Sequence, residues 1–346
     1  MALEDYSVYF EGFLRRLRIP TWIAVTSLLT IMGAVFLLSD YAAGIPSLRH
    51  LIVIFALLIS IGLALILTVV VRNRSVAAYK GLFEVLDTSQ HGNLLTIMKT
   101  AFDQRRGIAF AIIVGAGGIA HHIILSYMEW GRIWWYTVID IVFVGFAWWF
   151  IVAMFLWLCL GVAWSSVIVS RRLMFRPTII SDTNMCGLDS YATLSIVPAI
   201  AWAAVVTFGT LSTFDPVVSR QLPQLILVYL VLDFVIIAGS MTIVFALPVL
   251  GFRAIVLPFK KSLHDFLLEQ ANQFAETEKF IAVNIDEKTM ITATYLLELS
   301  AQANQVKEWP LGFGSSIRFI LSYLIPISIY VGRVVLLVVF NVQVPV

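Results

Sequence analysis

The chain has 346 residues, of which 60% are hydrophobic and only 13% charged, with a formal net charge of +2. A soluble domain carries about 25% charged residues, and several apolar runs here reach about 20 residues, the length a helix needs to cross a bilayer. The composition therefore excludes an ordinary soluble domain and predicts an all-α, polytopic helical membrane protein.

In chain order, residues 1–20 read as an amphipathic interfacial helix. Tyr6, Tyr9, Phe10, Phe13, Leu14 and Leu17 recur at helical spacing, the pattern of a helix lying on a membrane surface. Arg15, Arg16 and Arg18 then precede an apolar run over 22–39. A basic start resembles a secretory leader, but the run is long and lacks a small-residue cleavage site, so it is read as a retained first span. The second span covers 50–71 and ends at Arg72 and Arg74. Residues 72–106 form a cytoplasmic loop. Its stretch 81–106, with Glu84, Asp87, Lys99, Asp103, Arg105 and Arg106, is too polar to cross and predicts one or two surface helices. The third span is 107–126, followed by the turn YMEWGRIWW, whose aromatics suit a lipid–water boundary.

The apolar run 133–170 would be about 57 Å long as one helix at 1.5 Å per residue, longer than a hydrocarbon core of about 30 Å. A hairpin turning near Gly161 would put Arg171, Arg172 and Arg176 on the side opposite the other arginine clusters. The positive-inside tendency therefore selects one overlong helix. Residues 171–191 form a second cytoplasmic loop and 192–214 a fifth span. The sixth span, 225–258, is again overlong, and Pro248 and Pro258 are expected to kink or end it. Spans one to six thus occupy 21–261. Residues 262–308 read as an acidic cytoplasmic helical hairpin. Leu263, Phe266, Leu267, Ala271 and Phe274 line one arm, Ile291, Tyr295, Leu299 and Val306 line the other, and the turn falls at 284–288. Residues 309–346 form a C-terminal span, kinked at Pro326. The expectation is about seven spans, two overlong helices projecting to the cytoplasm, a cytoplasmic N-terminus and a cell-membrane location. With one cysteine in an apolar run and Cys186 in a polar loop, no disulfide framework is expected.

Spans three and four and spans five and six form similar hairpins, a weak sign of a parallel repeat. YTVIDIVFVG and YLVLDFVIIAG fall at similar places in the two overlong helices, and each sets an aspartate, Asp140 or Asp233, four residues after a tyrosine. An ionisable side chain near the bilayer centre costs about 2.5–3.5 kcal/mol on insertion scales, so it has a partner or a watery cavity. Depth along the spans places Asp140, Asp233, His121, His122 and Arg333 in one slab in the outer third of the bundle. Three readings follow. Arg333 pairs structurally with an aspartate, the group lines an ion or proton path between subunits, or the aspartates merely reach the interface. Adjacent histidines point about 100° apart on a helix, so His121 and His122 do not share one metal.

The loop before span five holds Asp182, Asn184 and Asp189, read as turn and cap residues or, alternatively, as an ion or regulatory ligand site. GAGGIA matches the letters of a dinucleotide fingerprint but lacks the preceding strand. Its small residues, with Ala111 and Gly115 or Ala116 and Ala120 four apart, instead allow close helix approach. No phosphate loop, zinc-type spacing or nucleophile elbow is present. The chain therefore reads as a non-enzyme without cofactor or metal, and its arginines as topology signals, not a nucleic-acid site. The functional expectation is a homo-oligomeric ion channel or pore. The alternatives are a membrane-anchored scaffold docking a soluble cytoplasmic protein through the acidic hairpin, and a proton-coupled secondary transporter.

Overall fold

The computed structural model describes residues 20–43, 48–130, 138, 141–175, 188–212, 223–277, 287–306, 324–325, 327–328 and 331–332. In chain order the helices are α1 (Thr21–Ala43), α2 (Leu48–Leu82), α3 (His91–Ala101), α4 (Gln104–Trp130), a π-helical segment (Ile141–Trp148) leading into α5 (Trp149–Arg172), α6 (Asp189–Ser212), α7 (Pro223–Thr277) and α8 (Glu287–Gln305). No strand occurs among the described residues; one antiparallel bridge joins Leu86 to Phe175. The physical cause is simple. In hydrocarbon each backbone N–H and C=O needs a partner within the protein, and a helix supplies these locally. Five helices among the described residues are long and apolar enough to cross a membrane: α1, α2, the π–α5 unit, α6 and α7. The expected helix at 1–20, apart from Pro20, and most of the span at 309–346 lie outside the described residues.

Several expected boundaries move. α2 continues past Arg72 and Arg74 to Leu82, because its core-facing stripe continues through Ser75, Ala78, Tyr79 and Leu82, all buried. α4 continues to Trp130, taking the first half of the expected aromatic turn into the helix. The 81–106 stretch holds a short 3₁₀ turn, Thr88–Gln90, and then α3. α5 runs through Gly161 without turning. That glycine serves a close approach: a Cβ there would overlap the Ala101 carbonyl at the end of α3. Neither Pro248 nor Pro258 ends α7, which is 55 residues long. The first arm of the expected hairpin is therefore continuous with the sixth span. α8 begins at Glu287, so Glu287 and Lys288 belong to the helix and not to the turn.

α5 lies at the centre, in contact with α2, α3, α4, α6 and α7, and α2 packs along α6. Phe155, Val162, Leu194, Phe252 and Val256 are fully buried in the shared core. The polar-to-apolar ordering is that of a protein in lipid. Ser60, Arg72, Ser75, Ser165 and Ser166 are inside, while Leu38, Ile113 and Ile236 point outward. Of the two small-residue faces on α4, Ala111 and Gly115 are the buried pair and Ala116 and Ala120 are exposed. Gly115 would place a Cβ 3.0 Å from the Phe146 ring.

Gly161→Ala is expected to lower stability by about 1–3 kcal/mol, the usual cost of overpacking against atoms that cannot move aside. Gly92→Ala on α3, where a Cβ meets nothing within 4 Å, should be neutral or slightly stabilising. Thermal shift of detergent-solubilised protein, followed by size-exclusion chromatography, reads both.

Candidate functional site

The residues singled out in the sequence fall unevenly. Asp140, Arg333, Asp182 and Asn184 lie outside the described residues. His121 and His122 stand on α4 and Asp233 on α7. The backbone register of α4 is fixed, because a Cβ at Gly118 would overlap the Gly145 carbonyl of the π segment, and Gly107 meets Trp157 lower down. The two elements run antiparallel. Positions 121 and 122 therefore lie level with the first residues of the π segment, which begins one residue after Asp140. Position 233 stands two turns before Ser240 on nearly the same side of α7, at about 100° per residue. Ser240 accepts a hydrogen bond from Trp202 Nε1 of α6 at 3.0 Å. Asp189 is the first residue of α6 and is half-buried, where the helix dipole favours a carboxylate.

A second polar group, at the end of the bundle where α5 finishes in Arg171 and Arg172, was not singled out in the sequence. Ser165, Ser166 and Ser170 lie on the last turns of α5. Each hydroxyl donates to a carbonyl three residues back: Val162 at 2.8 Å, Ala163 at 2.6 Å and Val167 at 2.9 Å. With their protons used in the helix, these oxygens face their neighbours as acceptors. The Tyr79 hydroxyl of α2 pairs with Ser165 Oγ. The Tyr191 hydroxyl of α6 donates to the Ser166 carbonyl at 2.5 Å. α7 closes the group at Gly251, where a Cβ would overlap the Tyr191 hydroxyl and lie 3.3 Å from both the Ser166 carbonyl and Ser170 Oγ. Four helices meet here through two tyrosines, three serines and one glycine.

Arg72 and Ser75 share the α2 face of Tyr79 at helical spacing. They are 5% and 2% exposed. Among the described residues Ser75 Oγ has no hydrogen-bond partner. Nearer the other end of the bundle, Ser60 Oγ donates to the Val205 carbonyl at 3.2 Å and accepts from Trp148 Nε1 at 3.3 Å. This joins α2, α6 and the π segment. The chemistry of these groups is adhesive: hydroxyls and indoles spend their hydrogen bonds on their own helix or on hydroxyls and carbonyls of neighbouring helices. Among the described residues no three His, Cys, Asp or Glu side chains gather where they could hold a metal ion.

The serines escaped the sequence reading because a serine in an apolar run bonds its own helix and carries no charge. The one available signal was the Ser165, Ser166, Ser170 spacing at the end of an otherwise apolar run. Arg72 was read as the end of a span because a snorkelling arginine and a buried one look alike in sequence. No protein-family model, curated protein or solved structure matches the chain.

Ser165→Ala should cost more stability than Tyr79→Phe. The first leaves a buried phenol without its acceptor, at about 1–3 kcal/mol, while the second removes both the donor proton and the need for a partner. The double variant Tyr79→Phe/Ser165→Ala is expected to recover part of the loss from Ser165→Ala. A double-mutant cycle in thermal unfolding measures the coupling.

Proposed function

We propose that the chain is a homo-oligomeric ion channel or pore of the cell membrane, with a cytoplasmic N-terminus. Its path is bordered by His121 and His122 of α4 and Asp233 of α7, together with Asp140 and Arg333. The observation that supports this reading is the packing at the centre of the described residues, where α5 is surrounded and Phe155, Val162 and Phe252 are fully buried beside it. A cavity of about 50 Å³ sits between α2, the elbow joining α3 to α4, and α5, lined by Thr68, Phe102, Asp103 and Trp157 among others. A water occupies about 30 Å³ in the liquid, so that cavity holds a water or two and no continuous file. On this reading the aqueous path runs between copies of the chain, and the ionisable positions border it. Carboxylates at such a border attract cations.

A second reading rests on a different observation. α7, at 55 residues, is about 82 Å long at 1.5 Å per residue. A bilayer with its headgroups is about 40–45 Å thick, so much of α7 projects beyond it. On the projecting hairpin Phe266, Ile291, Tyr295 and Leu297 are exposed. Apolar side chains exposed to water mark an interaction surface, which favours a scaffold that docks a soluble protein.

Purified protein in planar bilayers is expected to pass ion current. Asp233→Asn should change conductance or cation selectivity while the oligomer, measured by size-exclusion chromatography with light scattering, stays intact. If Asp233→Asn and Arg333→Gln both abolish folding, the charges are a structural pair and the path reading is wrong. Saturable capture of a soluble protein by the full-length chain, with no current, favours the scaffold.

A further inference from the structure

α7 passes through two prolines whose surroundings are opposite. A proline inside a helix removes one backbone hydrogen bond and crowds the carbonyl four residues earlier, which weakens the helix there. Pro248 is buried. Around it Val244, Phe252 and Val256 face the bundle core, Val249 is buried, and Gly251 is pressed against Tyr191. Any bend at Pro248 is held by packing on both sides. Pro258 is exposed, and it stands where the bundle core gives way to another core.

Beyond Pro258 the arms of the hairpin share a small core of their own. Leu263 and Leu267 of α7 bury against Ala303 of α8, with Leu296 and Leu299 packed beside them. The hairpin meets the bundle at its base, through Phe259, which packs on both cores, and through Val306, which belongs to the bundle core. The returning arm also loses its helix at this level, since α8 ends at Gln305. Lys260 Nζ donates to the Val306 carbonyl at 3.5 Å and staples the two arms together there. Both arms are therefore weakened at one level and tied to each other at that level.

We propose that Pro258 is a hinge about which the hairpin of α7 and α8 swings as one body against the membrane bundle. The hinge axis runs from Pro258 to Val306. The stretch around Gly251 stays clamped to the bundle while the hairpin moves. The hinge stands whether or not the chain conducts ions.

The test uses full-length protein in lipid nanodiscs and distances between paired spin labels. Cys186→Ser removes one native thiol, and Cys159, which is buried, is out of reach of the label. A cross-hinge pair is placed by Thr96→Cys on α3 and Glu298→Cys on α8. A second pair, His264→Cys with Glu298→Cys, lies within the hairpin; all three positions are exposed. The expected result is a broad or two-component cross-hinge distribution and a narrow one within the hairpin. Pro258→Ala should collapse the cross-hinge distribution to one narrow component and leave the other unchanged. Pro248→Ala should alter neither. A single narrow cross-hinge distance in the parent overturns the proposal, as does equal narrowing by Pro248→Ala or no narrowing by Pro258→Ala. Should a variant not fold, the parent distribution decides alone: broad supports the hinge and narrow rejects it.

Discussion

Helices in lipid are not driven together by the hydrophobic effect, because an acyl chain is as apolar as a leucine; close packing and hydrogen bonds must hold them. The junction of Tyr191, Ser166 and Gly251 answers that constraint in this chain. A phenol on α6 reaches a carbonyl on α5, and a glycine on α7 lets the backbone come close enough to cover both. α2 joins through Tyr79 and Ser165. Once these four helices are fixed, the rest of the arrangement follows. α3 packs on α5 with its last carbonyl against Gly161, and α4 fits its small-residue face to the π segment.

The same junction separates two kinds of surface. Inward, the bundle is solid and its polar groups are bonded largely to backbone. Outward, α7 exposes apolar side chains on both sides of the clamp. Val235 and Ile236 are exposed near one end, and Phe266 and Leu268 near the other. A helix clamped at Gly251 and carried on into the hairpin core is mechanically suited to link an extramembrane element to an intramembrane one. This is why the proposed path and the proposed hinge involve the same helix while resting on separate observations.

Much of the fold was legible in the sequence, because the length of an apolar run sets whether a helix crosses, and charge sets how it turns. Reading 133–170 as one helix needed only the arginines after it, and over the described part of that run the helix is unbroken through Gly161. Misplaced boundaries share one cause. Arg72, Pro248 and Pro258 are each ordinary stop signals, and in each place packing or continued helical pattern carries the helix past them. The serine and tyrosine groups were illegible because the serines bond their own helix while Tyr191 and Ser60 reach carbonyls on other helices, and nothing in a single sequence names a carbonyl. The GAGGIA stretch offered two equivalent faces on α4; only the neighbour fitted to Gly115, Phe146, shows which is used. Of the ionisable positions, 121, 122 and 233 have a place on a helix, and 140 and 333 lie outside the described residues.

The central claim is that α2, α6 and their neighbours form this bundle in a membrane, and disulfide trapping tests it most directly. In native membranes, with Cys159→Ala and Cys186→Ser as background, the pair Gly81→Cys with Ser190→Cys tests one end of the α2–α6 contact. The pair Ser60→Cys with Gly209→Cys tests its middle. A Cβ at Gly81 would lie 2.9 Å from the Ser190 Cβ, and a Cβ at Gly209 would lie 3.6 Å from Ser60 Oγ, so a small adjustment of each pair reaches disulfide geometry. The account predicts that each pair closes rapidly under mild oxidation within a single chain. Failure of both pairs to close, while a pair on outward faces such as Ile113→Cys with Leu38→Cys closes instead, would contradict it.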